Sequence, residues 1–138
     1  VKGLALMSSK QLKGLNQLTK EVNKTLMQYS RNCSEEVYKA AEEVAQATVD
    51  TLKTTGNYED RTGKYRKGFA VKKQNHYTYP SATVHNKVYR LTHLLENGHM
   101  KANGKGRTKA FPHWKPAEEK AVKEFEDKVK DKLKDVGV

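Results

Sequence analysis

The chain has 138 residues, 36% of them apolar, and 27 Lys and Arg against 16 Asp and Glu give it a formal net charge of +11. That length suits one domain with a thin core, and a single cysteine, Cys33, rules out an intrachain disulfide framework. No apolar run approaches the ~20 residues of a membrane span, and the opening Val1–Met7 is too short for a signal peptide, so the expectation is a soluble protein made in a cytoplasm.

The positive charge is unevenly placed. Residues 1–52 hold 7 basic and 6 acidic side chains and residues 116–138 hold 6 and 7, whereas residues 53–115 hold 14 and 3 along with all five histidines. A field localised in this way favours a polyanion or an acidic protein surface. Lysine-rich loops that keep a small protein soluble give the same composition.

From Ser8 to about Leu52 the apolar residues Leu15, Leu18, Val22, Leu26, Tyr29, Cys33, Val37, Ala40 and Val44 recur at the α-helical period. Ser8 and Gln11 have capping-box spacing. The polar cluster Ser30–Ser34 predicts a kink or a break into two helices. A period nearer 3.6 than 3.5 favours a stripe lying on a sheet over an extended coiled coil. Thr54-Thr-Gly-Asn57 carries the glycine signal of a helix end.

Period-two alternation around Phe69 and Val71, and again at Ala82 and Val84, predicts antiparallel strands at about 66–75 and 79–86 with a turn in Gln74–Pro80. An isolated two-stranded ribbon is marginal in water, so the long helix should pack on one face. Val88, Leu91, Leu94 and Leu95 restore helical spacing until Gly98 ends it. Gly98 to Lys109 reads as a mobile basic loop carrying Lys101, Lys105, Arg107 and Lys109. Pro116 suits the first position of a last helix, with Ala117, Ala121, Phe125, Val129 and Leu133 facing inward.

The fold class expected is α+β: a long N-terminal helix packed on a small antiparallel sheet, then a short helix, the basic loop and a C-terminal helix. One domain should cover 1–138, with a strand/helix region at 1–57, a β-hairpin region at 58–88, and the remaining elements in 89–138. Leu91, Leu94 and Leu95 are candidate subunit contacts because the core is thin.

Catalytic constellations are weak. The histidines at 76, 85, 93, 99 and 113 form no close ligand pair, and the central acids are only Glu59, Asp60 and Glu96. A metal-dependent nuclease needs such groups gathered around an ion, and His93 with Glu96 is thin support. Cys33 on the apolar stripe reads as a small inert hydrophobe. Gly104-Lys-Gly-Arg-Thr108 lacks the spacing of a phosphate-binding loop and the strand before it. Catalytic residues, metal sites and cofactors are therefore expected to be none. Non-specific contact with nucleic acid fits better, through the loop cations; aromatics such as Tyr65, Tyr77, Tyr79 and Trp114 can stack on bases, but most of them are expected to supply core and subunit contacts, where aromatics dominate.

Three motifs fall in a fixed order: Thr62-Gly63 followed by Arg66 and Phe69, an aromatic-led helix from Tyr89 to Glu96 and Gly98, and Pro112-His113 leading to Pro116-Ala117. Their order and spacing resemble the neck and tail-completion (head–tail joining) proteins of long-tailed bacteriophages. The approach Glu59-Asp-Arg61 and Asn97 depart from that pattern. The resemblance implies a non-enzymatic virion subunit in a homo-oligomeric ring, a hexamer or dodecamer, around the DNA channel. Its partners would be itself, head-completion, tail-terminator or tail-tube proteins, and genomic DNA, with no membrane. The alternatives are a free-standing non-specific nucleic-acid-binding protein and a small metal-dependent nuclease.

Overall fold

The computed structural model describes residues 9–74 and 81–136. Helix α1 spans Ser9–Thr54, a helical turn α2 spans Lys64–Lys67, strands β1 and β2 span Phe69–Gln74 and Ser81–Asn86, helix α3 spans Tyr89–Asn97, and helix α4 spans Trp114–Lys134. The α+β class and the packing of the long helix are as the sequence predicts. The proposed cap at Ser8 and most of the turn at Gln74–Pro80 lie outside the described residues.

Helix α1 is one continuous element of 46 residues, roughly 70 Å long at 1.5 Å per residue. This corrects the expected break at Ser30–Ser34. No proline or glycine interrupts the hydrogen-bond ladder there, and the Gln28 amide donates to Asn32 Oδ1 at 2.9 Å, one turn on. Polar side chains on an exposed helix need not compete with the backbone when they have such partners. At its far end, Gly56 takes φ 95 just past the last turn.

The strands pair antiparallel with Phe69 opposite Asn86, Val71 opposite Val84 and Lys73 opposite Ala82. Those pairs share one face, and that face meets α1, where Lys73 Nζ reaches Glu42 at 3.3 Å. Strand β1 starts three residues later than predicted because Lys64–Lys67 coils first. Gly63 lies at φ 70, and the Arg66 amide donates to Asp60 Oδ2 at 2.9 Å.

Helix α4 packs along the C-terminal half of α1, pinned by Lys128 to Glu43 at 3.0 Å and Lys132 to Glu43 at 3.2 Å. Val49, Leu52, Tyr58, Tyr65, Phe69 and Ala117 form the buried cluster, with Leu95, Phe111 and Trp114 against its edge. The core thus sits at one end of α1. Toward the other end the predicted stripe is uncovered: Leu18 is 58% exposed and Leu26 60%, whereas Ala40 and Leu52 are both 0%. The expectation that the whole stripe lies on the sheet is therefore corrected. The sheet and α4 reach only the second half of the helix.

Candidate functional site

The motif residues converge on one joint, where the end of α1, the turn α2, the end of α3 and the start of α4 meet. Arg66 projects under the C-terminal end of α1. Its guanidinium donates to the carbonyls of Thr55 at 2.6 Å and Gly56 at 2.7 Å and lies 4.4 Å from the Tyr58 ring centroid. The last carbonyls of a helix lack intrahelical partners and carry partial negative charge. A planar cation with several donors satisfies both needs.

Glu96 performs the opposite task. Its carboxylate accepts from the backbone amides of His113 at 2.8 Å, Trp114 at 3.0 Å and Lys115 at 3.0 Å. These are orphan donors at the start of α4, so a residue from α3 caps another helix. Burial alone would push the Glu96 carboxyl up, but the hydrogen bonds from the three amides outweigh it and hold the group below its ordinary value. This cap also moves the helix start. Helix α4 begins at Trp114, and Pro116 occupies its third residue, still within the turn where a missing amide proton is harmless.

His113 is buried, 4% exposed. Its Nδ1 faces the Phe111 carbonyl at 2.7 Å and Glu96 Oε2 at 3.0 Å. Two acceptors there place the ring proton on Nδ1, leaving Nε2 to accept from the Tyr65 hydroxyl at 2.7 Å. The same hydroxyl accepts from Trp114 Nε1 at 3.3 Å and lies 3.3 Å from Thr92 Oγ1. Asn86, also buried, donates to the Tyr65 carbonyl at 2.8 Å and accepts from the Val88 amide at 2.8 Å. Each of these polar groups is spent on holding another element. None is left as an accessible acid, base or nucleophile.

The remaining motif positions are structural in smaller ways. Thr62 Oγ1 accepts from the Lys64 amide at 3.3 Å, Ala117 is buried against the core, and Pro112 is exposed. Gly98 lies at φ 68, and a Cβ there would stand 2.6 Å from the Thr108 carbonyl oxygen, so only glycine fits.

The basic loop has more structure than its composition predicts. Met100 and Arg107 form an antiparallel bridge, the Thr108 amide donates to the His99 carbonyl at 2.7 Å, and Arg107 donates to the Gly98 carbonyl at 3.1 Å. Local backbone pairing, turned by Gly104 and Gly106 at positive φ, substitutes for the missing apolar burial. Lys109 lies 5.6 Å from the Phe111 ring centroid. Lys101 and Lys105 project into solvent. Of the candidate subunit contacts, Leu95 packs on the core, while Leu91 and Leu94 are each 40% exposed.

The family model of the bacteriophage HK97-gp10-like tail components matches residues 15–98, more than half of the chain. The chain belongs to that family. It is therefore a structural phage tail component and not an enzyme. No curated protein and no solved structure matches it. Among the described residues, no group of three or more His, Cys, Asp or Glu is gathered to hold a metal ion, and no helix is long and apolar enough to cross a membrane.

One surface went unread in the sequence. Charge counted over residues 1–52 nearly cancels, but 9–34 holds five basic residues and one acidic, and 35–54 holds two and five. Lys13, Lys20, Lys24 and Arg31 stand at spacings of seven, four and seven, which place them on one ridge of α1, and all four are exposed. A shorter counting window would have found them.

Proposed function

We propose that this tail component is a subunit of the ring that joins tail to head, arranged around the channel through which the genome passes. The observation that supports this most directly is the division of labour within α1. Its C-terminal half is locked into a small body by the hydrogen-bonded joint around Arg66, Glu96 and His113, and its N-terminal half extends beyond that body with apolar and basic faces uncovered among the described residues. Such a shape suits a part that gains its remaining contacts from neighbours. Its partners would be further copies of itself and the adjoining head-completion, tail-terminator or tail-tube proteins.

DNA contact fits the cations that the fold leaves free. Lys101 and Lys105 extend from a hairpin that is already held by its own backbone, so meeting phosphates costs little ordering. Such contacts carry no sequence information and weaken with salt.

Inactivating the gene in the phage that encodes this chain tests the reading. Electron microscopy should then show filled heads and separate tails, with joining restored by the purified protein. Normal joined particles would exclude a head–tail role. They would favour a free-standing nucleic-acid-binding protein, which has no counterpart to that defect.

A further inference from the structure

The ridge of Lys13, Lys20, Lys24 and Arg31 runs about 27 Å along the outer half of α1 at 1.5 Å per residue. All four side chains are exposed, and among the described residues none of them forms an ion pair. Cations elsewhere in the molecule are treated differently. Lys39, Lys73, Lys128 and Lys132 each meet a glutamate at 2.8–3.3 Å, and Arg66 and Arg107 are spent on backbone carbonyls. Helix α4 also carries exposed lysines, but glutamates and aspartates are interleaved with them. On the ridge the sign is unmixed. The one acid of stretch 9–34, Glu21, stands about a quarter turn to its side. Lys20 and Lys24 are a like-charged pair one turn apart, an arrangement that destabilises a helix. A face that served only to dissolve α1 would mix its charges, as α4 does.

We propose that this ridge is a surface that holds double-stranded DNA, by its phosphates and without regard to sequence. The inference deepens the ring-subunit reading and rests on it for the source of the DNA. The residues beside the cations suit that ligand. Asn16, Gln17 and Gln28 are neutral amides and Met27 is the one apolar side chain within about 60° of the ridge; lysine, arginine and amide side chains are the ones that contact phosphate oxygens. A duplex strand offers a charge about every 3.4 Å along its axis, so a straight row of this length spans several phosphates. Protein interfaces have the opposite make-up, rich in aromatics and depleted in lysine. A membrane surface fits the geometry poorly. The apolar stripe of α1 stands half a turn from the ridge, so a helix lying on a bilayer by that stripe would aim these cations away from the headgroups.

Fluorescence anisotropy of a short labelled duplex of arbitrary sequence, titrated with the full chain between about 50 and about 200 mM salt, tests the proposal. The ridge variant combines Lys13→Gln, Lys20→Gln, Lys24→Gln and Arg31→Gln, which places good helix formers at exposed positions. Circular dichroism checks its fold. A control combines Lys115→Gln, Lys123→Gln, Lys130→Gln and Lys134→Gln and removes the same charge from exposed positions of α4. Wild type should bind with an affinity that falls steeply with salt. The ridge variant should bind at least roughly tenfold more weakly, and its slope of log K on log salt should shrink by about 3 to 4, near 0.9 for each lost contact. The control should lose less than roughly threefold, because distant surface charges are screened. If the fourfold variant loses helix content, Lys20→Gln with Lys24→Gln relieves the like-charged pair and should show about half the slope change. Equal losses in ridge variant and control would mean that binding follows net charge, and would overturn the proposal. So would a wild type that binds no duplex at low salt. A ridge variant that keeps its DNA affinity but loses binding to phosphatidylserine vesicles, or to purified tails lacking this protein, would assign the ridge to a lipid or a protein surface and equally sink it. The ring reading fails separately. Particles that join normally without the gene would end it and leave ridge-dependent DNA binding in place, whereas ridge-independent binding with defective joining would do the reverse.

Discussion

The two halves of α1 share one apolar period and have opposite surroundings. From Ala40 onward the stripe faces α4 and the sheet, and Val49 and Leu52 are almost wholly enclosed. From Leu15 to Tyr29 the same spacing faces solvent, with exposures of 39–67% including Met27. Periodicity identifies the face of a helix that wants covering. What covers it depends on the length of the other elements, and α4 with its 21 residues is less than half as long as α1.

The sharpest way to break this contrast is to truncate one leucine in each half. Leu52→Ala should cost about 2–5 kcal/mol, because it empties a site closed on every side. Leu26→Ala should change the stability of the dilute monomer by less than about 0.5 kcal/mol. Urea unfolding followed by circular dichroism measures both. Equal losses would mean that the first half of α1 is covered even in the isolated chain.

Glu96 comes next in expected effect. Glu96→Ala removes the acceptor for three amides at the start of α4 and should cost about 2–3 kcal/mol, with Glu96→Gln retaining part of it through its one carbonyl oxygen. The pH dependence follows from the direction of the shift. A carboxyl whose folded value lies below its unfolded one contributes stability that is full above the unfolded value and is lost as pH falls through the folded one. The advantage of wild type over Glu96→Gln should therefore be complete at neutral pH and shrink once pH drops below about 4.3. Melting temperatures from pH 7 to pH 3 check it; a gap that grows toward acid would contradict the assigned cap.

Arg66→Lys should cost less, about 1–2 kcal/mol, because a single ammonium cannot reach the Thr55 and Gly56 carbonyls together while lying on Tyr58. The loss should show as faster hydrogen exchange at the end of α1, with the N-terminal half unchanged. Uniform acceleration along the helix would mean that Arg66 holds the whole body and not one helix end.

How much of this was legible depended on the sequence distance between partners. Element types, the Gly56 and Gly98 stops and the strand pair all rest on local signals, and they were readable. Glu96 and His113 stood out as motif positions, yet the task of Glu96 was hidden because its amides lie 17–19 residues away. Nothing local to Glu96 reveals that another helix will start beside it. The loop misled in the other direction. Glycine and lysine content suggested a structureless segment, but the same glycines permit the turn that pairs Met100 with Arg107. Ser30–Ser34 likewise suggested a break, although polar residues end a helix only when no intrahelical partner occupies them.

The smallest expected effect lies at Tyr58, on the edge of the locked half. Its ring packs edge-on against Tyr65 at 5.4 Å and under Arg66, but its hydroxyl oxygen is buried without a hydrogen-bond partner among the described residues. Burial, the largest influence, pushes the phenol up despite the nearby Arg66 cation. A buried hydroxyl with no partner forfeits its hydration without recompense. Tyr58→Phe keeps every ring contact and removes that one atom, so stability should stay level or rise by up to about 1 kcal/mol. A loss larger than about 1 kcal/mol would mean that the hydroxyl has a partner, such as an ordered water in the joint. Tyr58→Leu serves as the control. It removes the ring that Arg66 covers and should destabilise, which separates the value of the aromatic face from that of the oxygen.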